Sequence, residues 1–263
     1  MKVPFHIVQA RRQRVAELLQ QSQYIPLKEL CRRLGVSEAT ARRDLAALAR
    51  ERTITRTWGG ALVDFNQRFP SFRERQFKAR AAKRQMARLA LRQLSPAITC
   101  FFDAGTTVYA IAEALAAHPV KQLTVVTNSL PVAEVLVEVE GMEVYLVAGR
   151  YLARQSVLFG EPARRSLPLW KLDLAFMGAE GMTGAGLWNS QKDVARFQRA
   201  VVEKVARCIF CLDAGKLGQE APQFLLPWSE VDCLLTDATA GELTTARVNL
   251  GRRRLLTAHG SLT

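Results

Sequence analysis

The sequence predicts a two-part α/β chain, a small three-helix unit closed by a β-hairpin wing and then an open, mostly parallel α/β sheet. Three observations carry this. Residues 11–48 hold three short amphipathic stretches in a row, and residues 52–62 switch to β-branched alternation that closes on Gly59-Gly60. From Ala97 near-continuous apolar runs alternate with helical stretches, as parallel strands covered on both faces require. The charge changes at the same place: residues 1–95 carry 21 Lys+Arg against 7 Asp+Glu, whereas residues 96–263 carry 16 against 17. The +13 excess of the 263-residue chain thus belongs to its first third. The expected division is 1–62 for the winged helical unit, 63–95 for a basic linker with a helix, and 96–263 for the α/β domain. That length suffices for one small and one medium core.

In chain order, residues 11–21 place Val15, Leu18 and Leu19 on one helical face, and residues 26–35 do the same with Leu27, Leu30 and Leu34. Gly35 is placed to end that helix. Ser37 suits the N-cap of the next one, with Glu38 beside the positive end of its dipole. Ala41, Leu45 and Leu48 then form the buried face, leaving Thr40, Arg42 and Arg43 pointing elsewhere. Two helices joined by a tight Gly-Val-Ser turn form a helix-turn-helix, in which the second helix reads bases in the major groove. The guanidinium fork suits both phosphate and guanine. A basic amphipathic helix alone is most often a solvated face, but three helices in order, the turn and a wing carrying Arg52 and Arg56 agree on double-stranded DNA. The candidate DNA-binding residues are Ser37, Glu38, Thr40, Arg42, Arg43, Arg56, Gly59 and Gly60.

Residues 63–95 are polar and basic, with Phe65, Phe69 and Phe72 ahead of a helical stretch that mixes Arg84 and Arg88 with Met86, Leu89 and Leu94. Two readings stand side by side: a solvated connector, or a segment adding phosphate contacts.

The α/β part predicts strands at 97–102, 123–127, 143–148, 172–177, 208–212, 231–236 and 253–258, with helices at 107–117, 130–139 and 190–206. A ligand of such a sheet lies at the strand carboxyl ends. Those ends give Asp103 to Thr107, Thr127-Asn128-Ser129, Ala148-Gly149-Arg150, Gly178 to Gly181, Asp213 to Lys216 and Thr236-Asp237. Gly105 permits close backbone approach, Thr106 and Thr107 offer hydroxyls, and the next helix offers free N–H groups, which together cradle an anion such as phosphate. Lys216 adds a point charge, and Asp103, Glu180 and Asp213 are acceptors suited to sugar hydroxyls. The plainer reading of each loop is a turn and a helix cap, with Asp213 and Lys216 pairing together. The candidate effector-binding residues are Asp103, Gly105, Thr106, Thr107, Asn128, Ser129, Gly149, Gly178, Glu180 and Lys216.

No run approaches the ~20 apolar residues of a membrane span, and the N-terminus lacks the apolar stretch of a signal peptide, so a cytoplasmic protein is expected. Five cysteines without a regular framework fit a reducing compartment. Cys208 and Cys211 form a CxxC, but inside an apparent buried strand, where structural cysteines are expected. His6, His118 and His259 are isolated from each other. No metal site or cofactor is expected.

Residues 11–62 resemble the winged helix-turn-helix of DeoR-type bacterial transcription regulators on Leu34-Gly35-Val36-Ser37, Thr40, Arg42-Arg43-Asp44-Leu45 and Gly59-Gly60. Ala41 stands where that family usually has isoleucine, and Trp58 where it has histidine. In the linker Phe72, Arg75 and Lys83-Arg84-Gln85-Met86-Ala87 fit the family pattern. Asp103 to Thr107, Thr127 to Ser129, Asp173 to Gly178 and Lys216 resemble the family's effector domain, so the likeness covers nearly the whole chain. Ala148-Gly149 replaces a glycine pair, Ala214-Gly215 replaces serines, and Val194 and Gln198 fall where the family has glutamate and lysine. The resemblance implies a fold similar to ribose 5-phosphate isomerase and a response to phosphorylated sugars or related metabolites. It points to a repressor of a carbohydrate-metabolism operon. Helix-turn-helix proteins act as symmetric dimers on paired half-sites, so a homo-oligomer, dimer or tetramer, is expected. Two rivals are a sugar-phosphate isomerase with a basic extension, and a non-specific nucleic-acid binder. Val194 and Gln198 remove two charges from the rim, which favours binding without turnover.

Overall fold

The computed structural model describes residues 5–22, 24–50, 54–56, 60–63, 71–251 and 254–257 of the chain, which divides into compact units at 1–69 and 70–263. In the first unit, α1 (Phe5–Ser22) is followed by β1 (Tyr24–Pro26), α2 (Leu27–Leu34), α3 (Glu38–Arg50), β2 (Ile54–Arg56) and β3 (Gly60–Val63). The expected helix faces meet in one core, where Val15, Leu19 and Leu30 are fully buried beside Ala41 and Leu45. Gly35 at φ +62° ends α2, as expected. Asp44 is 2% exposed and accepts from Arg11 and Arg12, which pins α3 to α1. The wing pairs Arg56 with Ala61, and β1 adds a third antiparallel strand, Pro26 opposite Gly60. Three residues with a proline carry too little alternation to reveal that strand in sequence.

The second unit begins with α4 (Phe72–Gln76) and α5 (Arg80–Leu91). It continues through β4 (Thr99–Phe102), α6 (Thr106–Ala117), β5 (Thr124–Thr127), α7 (Leu130–Leu136) and β6 (Glu143–Leu146). After the hairpin β7 (Arg150–Leu152) and β8 (Val157–Phe159) come α8 (Glu161–Ser166), β9 (Leu174–Met177), β10 (Gly181–Thr183), β11 (Gly186–Asn189) and α9 (Lys192–Val202). The chain then adds β12 (Cys208–Cys211), β13 (Gln223–Pro227), β14 (Cys233–Thr236), α10 (Ala240–Thr245) and β15 (Arg254–Thr257). All seven expected strands pair in parallel, in the order β15-β14-β12-β9-β4-β5-β6.

Both faces of the central strands are buried, as the continuous apolar runs require, whereas the edge strand β6 leaves Tyr145 and Leu146 exposed. Phe101 and Phe210 face one core with Phe197 of α9, while Phe102 and Ile209 face the other with Ile111 of α6. Met86, Ala87 and Ala90 of α5 belong to that second core. The helix expected within 63–95 is therefore a wall of the second unit and not a free connector; its apolar stripe packs on α6. Cys208 and Cys211 lie in opposite cores, because residues three apart on a strand point to opposite faces. They cannot share a metal, and burial pushes both thiols up. Hairpin β7–β8 and the antiparallel sheet β10-β11-β13 were not foreseen from the sequence. Among the described residues no helix is long and apolar enough to cross a membrane, and no cluster of His, Cys, Asp and Glu fits a metal.

Candidate functional site

In the first unit the structure gathers the start of α3 on one exposed face. Ser37 Oγ accepts from the Thr40 N–H at 3.3 Å, the expected cap, and lies 3.0 Å from Thr40 Oγ1. Arg42 is exposed and sits 3.4 Å from Glu38 one turn earlier. An exposed pair of this kind is weak enough to open for a phosphate. Arg43 is exposed beside it. Gly60 opens β3 and Arg56 lies on β2; Gly59 falls outside the described residues.

In the second unit, β4 is flanked by β5 and β9, so the strand order reverses between β4 and β9. A crevice opens at such a switch point, outside the carboxyl ends of the two strands. Asp103 after β4 and Gly178 after β9 close its floor. Asp103 is 1% exposed, and its carboxylate accepts from Asn128 Nδ2 at 3.0 Å, Gln198 Nε2 at 2.5 Å and the Gly178 N–H at 3.3 Å. Gln198 also donates to the Gly178 carbonyl at 2.7 Å and accepts from Asn189 Nδ2 at 2.9 Å. Burial raises the Asp103 carboxyl despite these donors. Asp103 is thus a fully bonded brace under the crevice. The residue at 198, read from sequence as a lost charge, is its main partner.

Gly105, at φ +153°, lets the chain turn into α6, whose first N–H groups point back to the crevice with Thr106 and Thr107. Ser129 caps α7, and the Thr127 hydroxyl, which donates to the Phe102 carbonyl at 2.6 Å, braces the loop. Gly149 answers a steric need, since a Cβ there would stand 2.6 Å from the Phe159 carbonyl. Three buried polar atoms lack a partner among the described residues: Asn128 Oδ1, Glu180 Oε2 and Ser190 Oγ. Burial raises the Glu180 carboxyl, and neighbouring Ser190, Arg75 and Lys216 only partly offset this.

Lys216 follows β12, and burial lowers its pKa against the pull of Asp213 and Glu180. No ion pair within 4.0 Å joins it to Asp213 among the described residues; Asp213 Oδ1 instead accepts from the Gly215 N–H at 3.1 Å. Arg75 and Lys83 were not singled out as site residues from the sequence, yet both stand at this crevice. Arg75 acts on Glu180 and Lys216, and Lys83 acts on Asp213 and Lys216. Their signal was the Ser71–Glu74 capping box, which marks a helix start where the composition reads as linker.

A helix-turn-helix reader joined to a doubly wound sheet with a polar crevice defines a ligand-responsive DNA-binding regulator. The DeoR-like helix-turn-helix domain matches residues 11–67, and the DeoR C terminal sensor domain matches residues 78–238. The chain belongs to the DeoR family of transcription regulators. It is 31% identical over 224 residues to the HTH-type transcriptional repressor GlcR of Bacillus subtilis, covering 85% of this chain and 86% of that protein. It is also 31% identical over 225 residues to the glycerol-3-phosphate regulon repressor of Escherichia coli, covering 85% and 88%. Among solved structures, ribose 5 phosphate isomerase A of Neisseria gonorrhoeae is similar at 16% identity and a TM-score of 0.38, over 51% of this chain and 52% of that one.

Proposed function

We propose that the chain is a cytoplasmic repressor that binds operator DNA through α3 and the wing, and is controlled by a phosphorylated sugar-like effector at the β4/β9 crevice. The observation that carries this is the crevice itself. It combines the free N–H groups at the start of α6, suited to an anion, with buried acceptors at Asn128 Oδ1 and Glu180 Oε2, suited to hydroxyls. A phosphorylated polyol carries both. The named target of the Escherichia coli relative, a glycerol-3-phosphate regulon, is of the same chemical class.

At Asp103 the site favours binding over turnover. Isomerisation needs a carboxylate free to take a carbon-bound proton. Asp103 has its oxygens bonded to three fixed donors. The regulator acts as a homo-oligomer on paired half-sites. Effector and DNA affinities must be reciprocally linked, because the effector acts only by binding two arrangements unequally.

The test pairs two measurements. Replacing Arg43 with Ala is expected to weaken operator binding by about 1–3 kcal/mol at fixed salt while leaving effector-induced thermal stabilisation unchanged. Equal operator affinity in a gel-shift titration would remove α3 from the reading. A panel of sugar phosphates that raises the melting temperature of the intact protein in no case would remove the effector.

A further inference from the structure

The two edges of the seven-stranded sheet differ in character. At one edge lies β15, where the run Arg252-Arg253-Arg254 leads into the strand. Charge on an edge is what keeps it from pairing with a foreign strand. At the other lies β6, whose Glu143-Val144-Tyr145-Leu146 holds no lysine, arginine or proline.

The main chain of β6 is open on its outer side. Toward β5, the Glu143 N–H donates to the Leu123 carbonyl at 3.1 Å and the Val147 N–H to the Thr127 carbonyl at 2.9 Å. Alternate residues of a parallel strand bond to the same neighbour, so Val144 and Leu146 turn their N–H and C=O groups away from β5. Among the described residues no protein group pairs with them there. Apolar surface flanks this edge on both faces of the sheet. On one face the exposed Tyr145 ring stands 4.4 Å from Trp170, whose neighbour Leu169 is 78% exposed. On the other, Val144 packs on the core beneath α6 and α7, and Val137 at the end of α7 is 60% exposed. Charge runs lengthwise. Residues 138–143 hold Glu138, Glu140 and Glu143 and no cation, whereas residues 147–153 hold Arg150 and no acid.

We propose that β6 is a self-association strand: two copies of the chain pair their β6 edges antiparallel about a twofold axis at Tyr145, joining their sheets into one. This rests on the homo-oligomer part of the reading above and names its surface. A second copy is the occupant because the edge is complementary to itself. Antiparallel pairing sets the acidic end of each strand against the Arg150 end of the other, whereas a parallel copy would set like ends together. The axis falls at Tyr145 because that register places Val144 opposite Leu146 of the other copy on both sides, which uses every outward N–H and C=O of the strand. Tyr145 then faces its own equivalent as a non-hydrogen-bonded pair, with Cα atoms about 4.5 Å apart. The apolar flanks of the two copies cover each other on both faces.

The test measures self-association of the full chain by sedimentation equilibrium, for the parent and for Leu146→Pro and Tyr145→Lys. Leu146→Pro removes an outward N–H that no protein group within the chain uses, a position where an edge strand tolerates proline. Tyr145→Lys places like charges opposite each other on the axis. Both variants should keep the parental circular dichroism spectrum and need at least tenfold more protein to associate, losing one step of assembly. Tyr145→Cys, which is independent of any loss of folding, should form an interchain disulfide under mild oxidation at least tenfold faster than Phe77→Cys, an exposed site outside the strand, because 4.5 Å lies within disulfide reach. Unchanged association in both folded variants, or equal crosslinking of Tyr145→Cys and Phe77→Cys, overturns the proposal and leaves the homo-oligomer reading standing. A parent that stays a single chain at every concentration overturns both.

Discussion

Replacing Asp103 with Ala tests the brace under the crevice. The change strands Asn128 Nδ2 and the Gly178 N–H and leaves Gln198 Nε2 with the Gly178 carbonyl alone. Each buried donor without a partner destabilises by about 1–3 kcal/mol. Removing a buried carboxylate returns part of its desolvation, so the net loss is expected near 3 kcal/mol. Gln198→Leu strands Asn189 Nδ2 and leaves Asp103 Oδ2 with the Gly178 N–H alone, and about 2 kcal/mol is expected. The two share one hydrogen bond, so the double variant should be about 1–2 kcal/mol less destabilised than the sum. Urea unfolding of the full chain followed by tryptophan fluorescence reads this, because Trp170, Trp188 and Trp228 all lie in the second unit. Additive losses, or less than about 1 kcal/mol for Asp103→Ala, would refute the brace.

Glu180→Gln removes a carboxyl that burial holds above its ordinary value. The unfolded chain loses that proton first, so the parent should lose stability relative to the variant as pH rises above 4.5; parallel stability curves from pH 4 to 7 would contradict this. Gly149→Ala drives a Cβ to within 2.6 Å of the Phe159 carbonyl and should destabilise by roughly 1–3 kcal/mol, read by urea unfolding. Lys83 is lowered by burial to about 8 from 10.5, so the folded chain releases its proton first and stability relative to Lys83→Met should rise between these pH values. A difference between the two proteins that is flat across pH 8–10.5 would show that Lys83 is not buried as described.

The sheet was legible because its strands are buried on both faces, and Ile209 and Phe210 on opposite cores explain why no alternation marks them. The three-helix unit was legible for the opposite reason. There each helix buries a single stripe, so Val15, Leu19, Leu30 and Leu45 recur at helical spacing. Hidden were elements whose stability comes from distant partners. β10, β11 and β13 are short, and they exist because Met182, Leu187 and Leu225 cover one sheet face. At the crevice, the strand-end rule put Asp103, Gly105 and Gly178 in one place. It could not tell a brace from a contact residue, since that depends on Gln198, 95 positions away along the chain.

Charge counting misassigned the joining segment for a related reason. A run such as Arg80 to Arg92 reads as cationic whether its members face water or a crevice. The structure separates them: Arg80, Arg84 and Arg88 are exposed, while Lys83, set among them on the same helix, is buried and donates to the carbonyls of Arg75 and Lys78. Exposed cations respond to any polyanion and are screened by salt. A buried one such as Lys83, held by two backbone carbonyls, is largely removed from that screening.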